Sequence, residues 1–216
     1  MSGLLDDPAR FLAVLILKLP ALLLAVTVHE VAHGLVADRL GDPTARRLGR
    51  LTLNPFPHLD AFGALAFIVA GFGWAKPVPV NAANLRRPVR DMAWVAVAGP
   101  LANFVTAFLG LVALVLARRA GFPAIVADPV AGMLLWTFQY NLALGIFNLI
   151  PLPPLDGGHF LPYFLPPGAG RLLHQLEQFG PLLLLLLVVS GATRYVVGPL
   201  FELLAGFYIA LVRLLL

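Results

Sequence analysis

The 216-residue sequence has no cysteine, which excludes a disulfide framework, a cysteine-ligated zinc site and a thiol nucleophile. It is also poor in charge. Only 12% of residues are Asp, Glu, Lys or Arg, about half the share of an ordinary soluble domain. Hydrophobic residues make up 60% of the chain and the mean hydropathy is +0.88. These values exclude a disordered chain, a fibrous repeat and an ordinary soluble enzyme, and they leave a polytopic membrane protein. Acidic residues are the scarcer sign, 11 against 15 basic. The resulting charge of +4 does not read as a nucleic-acid surface, because no stacking aromatics lie among the arginines. Basic cytoplasmic loops account for it. With no repeat, low-complexity tail or linker, one integral-membrane domain over 1–216 is expected.

A membrane-spanning helix needs about 20 largely apolar residues. The first candidate runs from Phe11 to Ala37. It is no signal peptide, since Asp6 and Asp7 precede Arg10, no small-residue cleavage site stands out, and His29, Glu30 and His33 lie near its end. Leu59 to Trp74 is short and glycine-interrupted, so it reads as re-entrant or interfacial. Trp74 to Pro88 alternates and carries prolines, the pattern of an extended edge or loop. Longer apolar stretches follow at Met92–Ala117, Pro129–Ile150, about Leu172–Val189 and Tyr195–Leu216. Six prolines between Pro151 and Arg171 interrupt any regular helix there. The expected fold is an all-α polytopic membrane protein of about five to six transmembrane or re-entrant helices, with a short extended segment near 74–88. Its core is expected over about 11–160, with accessory C-terminal helices over about 171–216.

Basic residues set the topology. Arg39, Arg46, Arg47 and Arg50 fall in one loop, and Lys76, Arg86, Arg87 and Arg90 in the next. If the stretch between them is re-entrant, both loops are cytoplasmic. The following helix then leads out to Arg118 and Arg119, and its successor returns the proline-rich segment to the cytoplasm. Arg171 and Arg213 are expected inside, and Arg10 and Arg194 outside. Arg46, Arg47, Arg86 and Arg87 are read as facing lipid headgroups.

The sharpest pattern is His29-Glu30-Val31-Ala32-His33. Histidines at i and i+4 share one helix face, so both imidazoles reach one metal. The glutamate between them points elsewhere and is free to act as general base. With 5 His and 3 Glu in 216 residues, chance matches are expected on the order of 0.002 times. The alternative, two histidines hydrogen-bonded to neighbouring helices, is disfavoured because ionisable groups within a span are costly and functional by default. A third ligand must come from elsewhere, because positions 36 and 39 are valine and arginine and the extended three-histidine form is absent. Asp38 is too close along the helix. His58 and Asp60 read as a loop cap or entrance, and Glu202 as an interhelical partner for Arg213 or Arg194. His159 reads as a loop or supporting residue, and His174 and Glu177 are further candidates. Asp156, in a broken segment just after a span, is the best choice, since irregular backbone at membrane depth is tolerated where it lines a water-filled cavity.

The HEVAH motif together with Asn148-Leu-Ile-Pro-Leu-Pro-Pro-Leu-Asp156-Gly157 resembles the site-2 proteases, intramembrane zinc metalloproteases. Ala98-Gly-Pro-Leu-Ala-Asn103 and the stretch Phe72 to Asn81 are similar to further motifs of the compact prokaryotic branch, so the resemblance covers about Val28 to Phe160. It implies one Zn2+ held by His29, His33 and Asp156, with Glu30 as catalytic base. Asn148 and Asn103 would support the substrate backbone or oxyanion; for both, an interhelical hydrogen bond is the competing role, with a helix cap also open to Asn148. It implies a multi-pass protein of the prokaryotic cell membrane and a single-span membrane protein as substrate; the basic-residue topology puts the site toward the cytoplasm, and the PDZ or CBS sensor domain that many members carry has no room here. The residues around Lys76–Asn81 are expected to pair with the unwound substrate by edge addition. A membrane zinc peptidase acting on soluble peptides and a zinc-binding protein without activity are the competing readings; an intact Glu30 argues against the latter.

Overall fold

The computed structural model describes residues 7–70, 73–166 and 169–216. Among them the chain is helical, with no strand beyond one antiparallel bridge between Leu59 and Ala75. The helices are α1 (Pro8–Leu40), α2 (Thr44–Arg47), α3 (Ala61–Ala70), α4 (Pro88–Arg119), α5 (Ala124–Asn148), α6 (Asp156–Phe160), α7 (Gly170–Val189) and α8 (Thr193–Leu215). Four are long and apolar enough to cross a membrane: α1 over Leu12–Leu40, α4, α5 and α8. The chain is a multi-pass membrane protein.

The ten residues of α3 rise only about 15 Å, half of a hydrocarbon core of roughly 30 Å. The second apolar stretch therefore does not span. Prolines Pro77 and Pro79 drive the residues before them, Lys76 and Val78, into extended backbone, and a 3-10 turn at Ala82–Asn84 ends this segment. Helix α5 starts five residues before Pro129, which costs it one i→i−4 hydrogen bond in its second turn.

Helices α1, α4 and α5 pack as the central layer, and α8 lies against α5 and α4. Their shared core is Ala107, Leu111 and Leu114 of α4, Phe138, Leu142 and Ile146 of α5, and Val212 of α8. Small residues let the backbones approach, as expected where lipid supplies no hydrophobic drive between helices: Ala25 and Ala107 are fully buried.

Two contacts set directions. The Arg86 N–H donates to Leu40 O (3.3 Å), joining the end of α1 to the start of α4. Arg119 Nη1 donates to Leu216 O (2.8 Å), joining the ends of α4 and α8. Helix α8 thus runs parallel to α4 and starts at the HEVAH end. Helix α7 leads from α6 to the start of α8, and its described apolar part is Gln175–Val189. The direction of α8 corrects two expected positions. Arg194 lies at the HEVAH end and Arg213 at the Arg119 end, an exchange that leaves the balance of basic residues between the two ends unchanged. Glu202 is exposed on α8 and, among the described residues, pairs with neither arginine; Arg194 instead stacks on Tyr195.

Candidate metal centre

His29, Glu30 and His33 lie on the last turns of α1. The two imidazoles meet edge to face with centroids 4.5 Å apart, and their Nε2 atoms are 3.0 Å apart. Asp156 comes from the start of α6, after the proline-broken turn. Its Oδ2 lies 3.0 Å from His29 Nε2 and its Oδ1 lies 3.3 Å from His33 Nε2. Gly157 makes this reach possible: a Cβ there would sit 2.3 Å from Ile150 O, so only glycine lets the chain fold back tightly enough. Gly99 of α4 does the same from the opposite side, where a Cβ would come within 2.4 Å of His33 Nε2 and 2.7 Å of His29 Cε1.

The partners of the outer ring nitrogens fix the tautomers. Asn103 Nδ2 donates to Ala25 O (2.9 Å) and to Asn141 Oδ1 (2.8 Å), so its Oδ1 is left to accept from His29 Nδ1 at 2.6 Å. His33 Nδ1 lies 2.7 Å from Val95 O, which can only accept. Both Nδ1 atoms therefore carry hydrogens, and both Nε2 atoms present lone pairs toward Asp156. Three acceptor atoms converge within 4.8 Å, and Asp156 Oδ2 is buried without a donor. Either protons or a cation must lie among them. With protons on the imidazoles, burial opposes charge on Asp156, but their hydrogen bonds and positive charge outweigh it and hold the carboxyl at about 2. Two neutral imidazoles and one carboxylate, with room for one more ligand, form the donor set of a catalytic zinc site, so these residues fit the metal.

Glu30 keeps clear of this cluster. Its Oε2 accepts the Val78 N–H at 2.7 Å, and no described residue donates to Oε1. A cavity of about 400 Å³ opens beside it, lined by Glu30, Pro77, Val78, Val80, Met92, Asn148, His159 and the three converging residues among others. Asn148 lines this cavity, with Nδ2 also donating to Leu144 O (3.0 Å). Asn103 does not. It is fully buried and its amide is spent on His29, Ala25 and Asn141, so its expected place at the substrate is corrected to one behind the His29 ring.

The remaining candidates lie elsewhere. His58 is buried with Nε2 3.0 Å from Thr52 O, and Asp60 caps α3 by accepting the Gly63 N–H at 2.8 Å. Asp38 pairs with Arg46. Glu177 lies in a small neighbouring pocket that shares Met92 and His159 with the cavity. Phe72 and the His174 side chain are outside the described residues. The extended segment is less open than expected: Lys76 N–H donates to His58 O (2.9 Å), Val78 N–H to Glu30 and Asn81 N–H to Asp42 (2.7 Å). Val80 has the one N–H between Lys76 and Asn81 without a protein acceptor among the described residues.

Three residues escaped sequence reasoning. Asn141 was findable as an amide within an apolar span. Val78 acts through its backbone, which no side-chain pattern reveals. Asp42 follows Gly41 and precedes Pro43, a sequence that reads as a surface turn, yet it is fully buried. Burial opposes its charge, but donors from the Asn84 and Thr44 side chains and from the Asn81 and Thr44 N–H groups outweigh this and hold its carboxyl below the usual range.

Comparison with known proteins bears on the family. The model of peptidase family M50 matches residues 120–188, which include Asn148 and Asp156 but not HEVAH. The chain is 42% identical over 182 residues to "Putative zinc metalloprotease YwhC" of Bacillus subtilis, covering 83% of each chain. It is 32% identical over 195 residues to "Putative zinc metalloprotease Rip2" of Mycolicibacterium smegmatis, covering 86% of this chain and 71% of the relative. No solved structure matches the chain. The chain belongs to peptidase family M50, the site-2 proteases, and is a membrane zinc metalloprotease.

Proposed function

We propose that this protease cuts a peptide bond within or next to the transmembrane helix of a single-span membrane protein. The observation that carries the reading is the convergence of His29, His33 and Asp156 with Glu30 beside a cavity, on helices that cross a membrane. His29, His33 and Asp156 hold the metal. Bound there, zinc would supply Lewis acidity to the scissile carbonyl and to the attacking water. Glu30 accepts a proton at Oε1 while the Val78 N–H holds Oε2, and it delivers that proton to the departing amine. Asn148 has a second amide N–H to offer the carbonyl oxygen as negative charge develops. Asn103 and Val95 keep the imidazoles oriented.

A substrate helix hides its peptide bonds in its own hydrogen bonds, so it must unwind to enter. Val80 is the position left for an unwound strand to pair with, so Val80→Pro, which removes that N–H, is expected to raise KM; an unchanged KM removes this contact. The site faces the cytoplasm of a prokaryotic cell, supported by the clustering of basic residues at the HEVAH end and by bacterial relatives. The whole of 1–216 acts as one domain, with 11–160 as its motif-bearing core and 171–216 accessory to it.

The test is Glu30→Gln in the full chain, assayed in detergent with a quenched-fluorescent peptide. The peptide carries one 20-residue apolar segment with a central helix breaker. The expected result is retained zinc with cleavage reduced by roughly 10²–10⁴-fold. Undiminished cleavage removes Glu30 from its role. Cleavage of soluble peptides alone would favour the competing substrate class.

A further inference from the structure

We infer that Asp42 is a positioning residue for the reaction: with Arg50 it clamps the Lys76–Asn84 segment so that the Val78 N–H fixes the Glu30 carboxylate. This rests on the reading of Glu30 as the catalytic base. The segment cannot hold itself in place. It has no strand partner beyond the single bridge at Leu59–Ala75, and Pro77 and Pro79 offer no N–H. Beside the Lys76 N–H bond to His58 O, side chains hold it at its two ends. At the first, Arg50 Nη2 donates to Lys76 O (2.8 Å) and to Pro77 O (3.2 Å). At the second, Asp42 Oδ2 accepts the Asn81 N–H (2.7 Å) and Oδ1 accepts Asn84 Nδ2 (2.8 Å). Asp42 is itself anchored by Thr44, whose N–H and hydroxyl both reach Oδ1.

Val78 lies between these clamps, directly after Pro77 and three residues before Asn81. Its side chain is buried and its N–H meets Glu30 Oε2 at 2.7 Å. Prolines on both sides make this the only backbone donor from Pro77 to Pro79, and they hold it in extended geometry. A glutamate side chain has several rotamers. A charge-assisted hydrogen bond to one oxygen selects among them and leaves the other oxygen for proton transfer. Asp42 touches neither substrate nor metal ligands. It acts only through the segment, three residues from Val78, so its removal should loosen Glu30 without emptying the metal site.

The experiment compares wild type, Asp42→Ala, Arg50→Ala and Glu30→Ala as full chains in detergent. Amide hydrogen exchange is read over residues 76–84, with zinc content and the kinetics of the same quenched single-span peptide. In wild type the Val78 amide is expected to be protected. Asp42→Ala and Glu30→Ala should each speed its exchange, the first together with Asn81 and the second at Val78 alone. Asp42→Ala should keep its zinc and lower kcat about tenfold with little change in KM, a part of what a general base contributes. Arg50→Ala should do the same from the other end. Val78 exchange unchanged in Asp42→Ala, or kcat within about twofold of wild type with exchange accelerated, overturns the inference. Loss of zinc in Asp42→Ala also overturns it, because the residue would then be supporting the ligands. If Glu30→Gln cleaves as well as wild type, the underlying reading has failed, whereas an active-site Glu30 with an indifferent Asp42 sinks only the positioning role.

Discussion

Gly99 in α4 and Gly206 in α8 are both helical glycines in membrane-crossing helices, and their surroundings are opposite. A Cβ on Gly99 would collide with both imidazoles of the metal centre, whereas a Cβ on Gly206 would meet nothing within 4 Å. The contrast extends to the polar residues. In the α1–α4–α5 layer, His29, His33, Asn103 and Asn141 are buried and linked to one another or to backbone carbonyls. On α8, Glu202 is exposed and has no ion-pair partner among the described residues. One region gathers these polar groups around a shared centre and tolerates no added atom at Gly99. The other has an apolar face packed on α5 and an open outer face.

The most severe way to test that difference is Gly99→Ala. The close atoms are rings held on both nitrogens, so they cannot give way cheaply. The expected outcome is loss of zinc binding and of detectable cleavage, measured as zinc per chain and product formed. A fully loaded, active Gly99→Ala protein would break the contrast.

Asn103→Ala should do less. It removes the acceptor at His29 Nδ1 and frees Asn141 Oδ1 and Ala25 O within a buried layer. Losing an outer partner of a ligating histidine typically weakens metal affinity by about 10–100-fold, so competition with a zinc chelator should show that shift. Asn103→Asp keeps an acceptor for His29 and should recover part of the affinity.

Much of this was legible before the fold. The i, i+4 histidines carry their own geometry, and a helix broken by Pro151, Pro153 and Pro154 announces a ligand-bearing turn. Relations that close only in three dimensions were not legible. Arg194 and Arg213 exchange ends because the direction of α8 is set by contacts such as Arg119 to Leu216, far apart in sequence. Asn103 was read toward substrate because nothing in a linear sequence says which face of α4 meets His29. Asp42 resembled a turn aspartate because its donors, Asn81 and Asn84, lie about forty residues further on.

Acid should act on Asp42 more gently. Its carboxyl is held below the ordinary value near about 3.9. A depressed native value means that its contribution to stability is complete above the unfolded value and fades as pH falls through the folded one. Thermal unfolding of wild type and Asp42→Asn should therefore differ most at neutral pH and converge below about pH 3.9. A difference that stays constant across that range would show that folding does not lower the Asp42 carboxyl.

The smallest effect belongs to the open region. Gly206→Ala places a methyl group where no neighbour stands within 4 Å. Alanine is favoured over glycine inside a helix by about 1 kcal/mol or less, so thermal stability should hold or rise slightly, with zinc content and kcat unchanged. The substitution is chemically the same as Gly99→Ala, and only the surroundings differ. If Gly206→Ala lowered kcat at full zinc occupancy, the outer face of α8 would have to move or bind during turnover, and the division between a committed layer and an open face would no longer describe the enzyme.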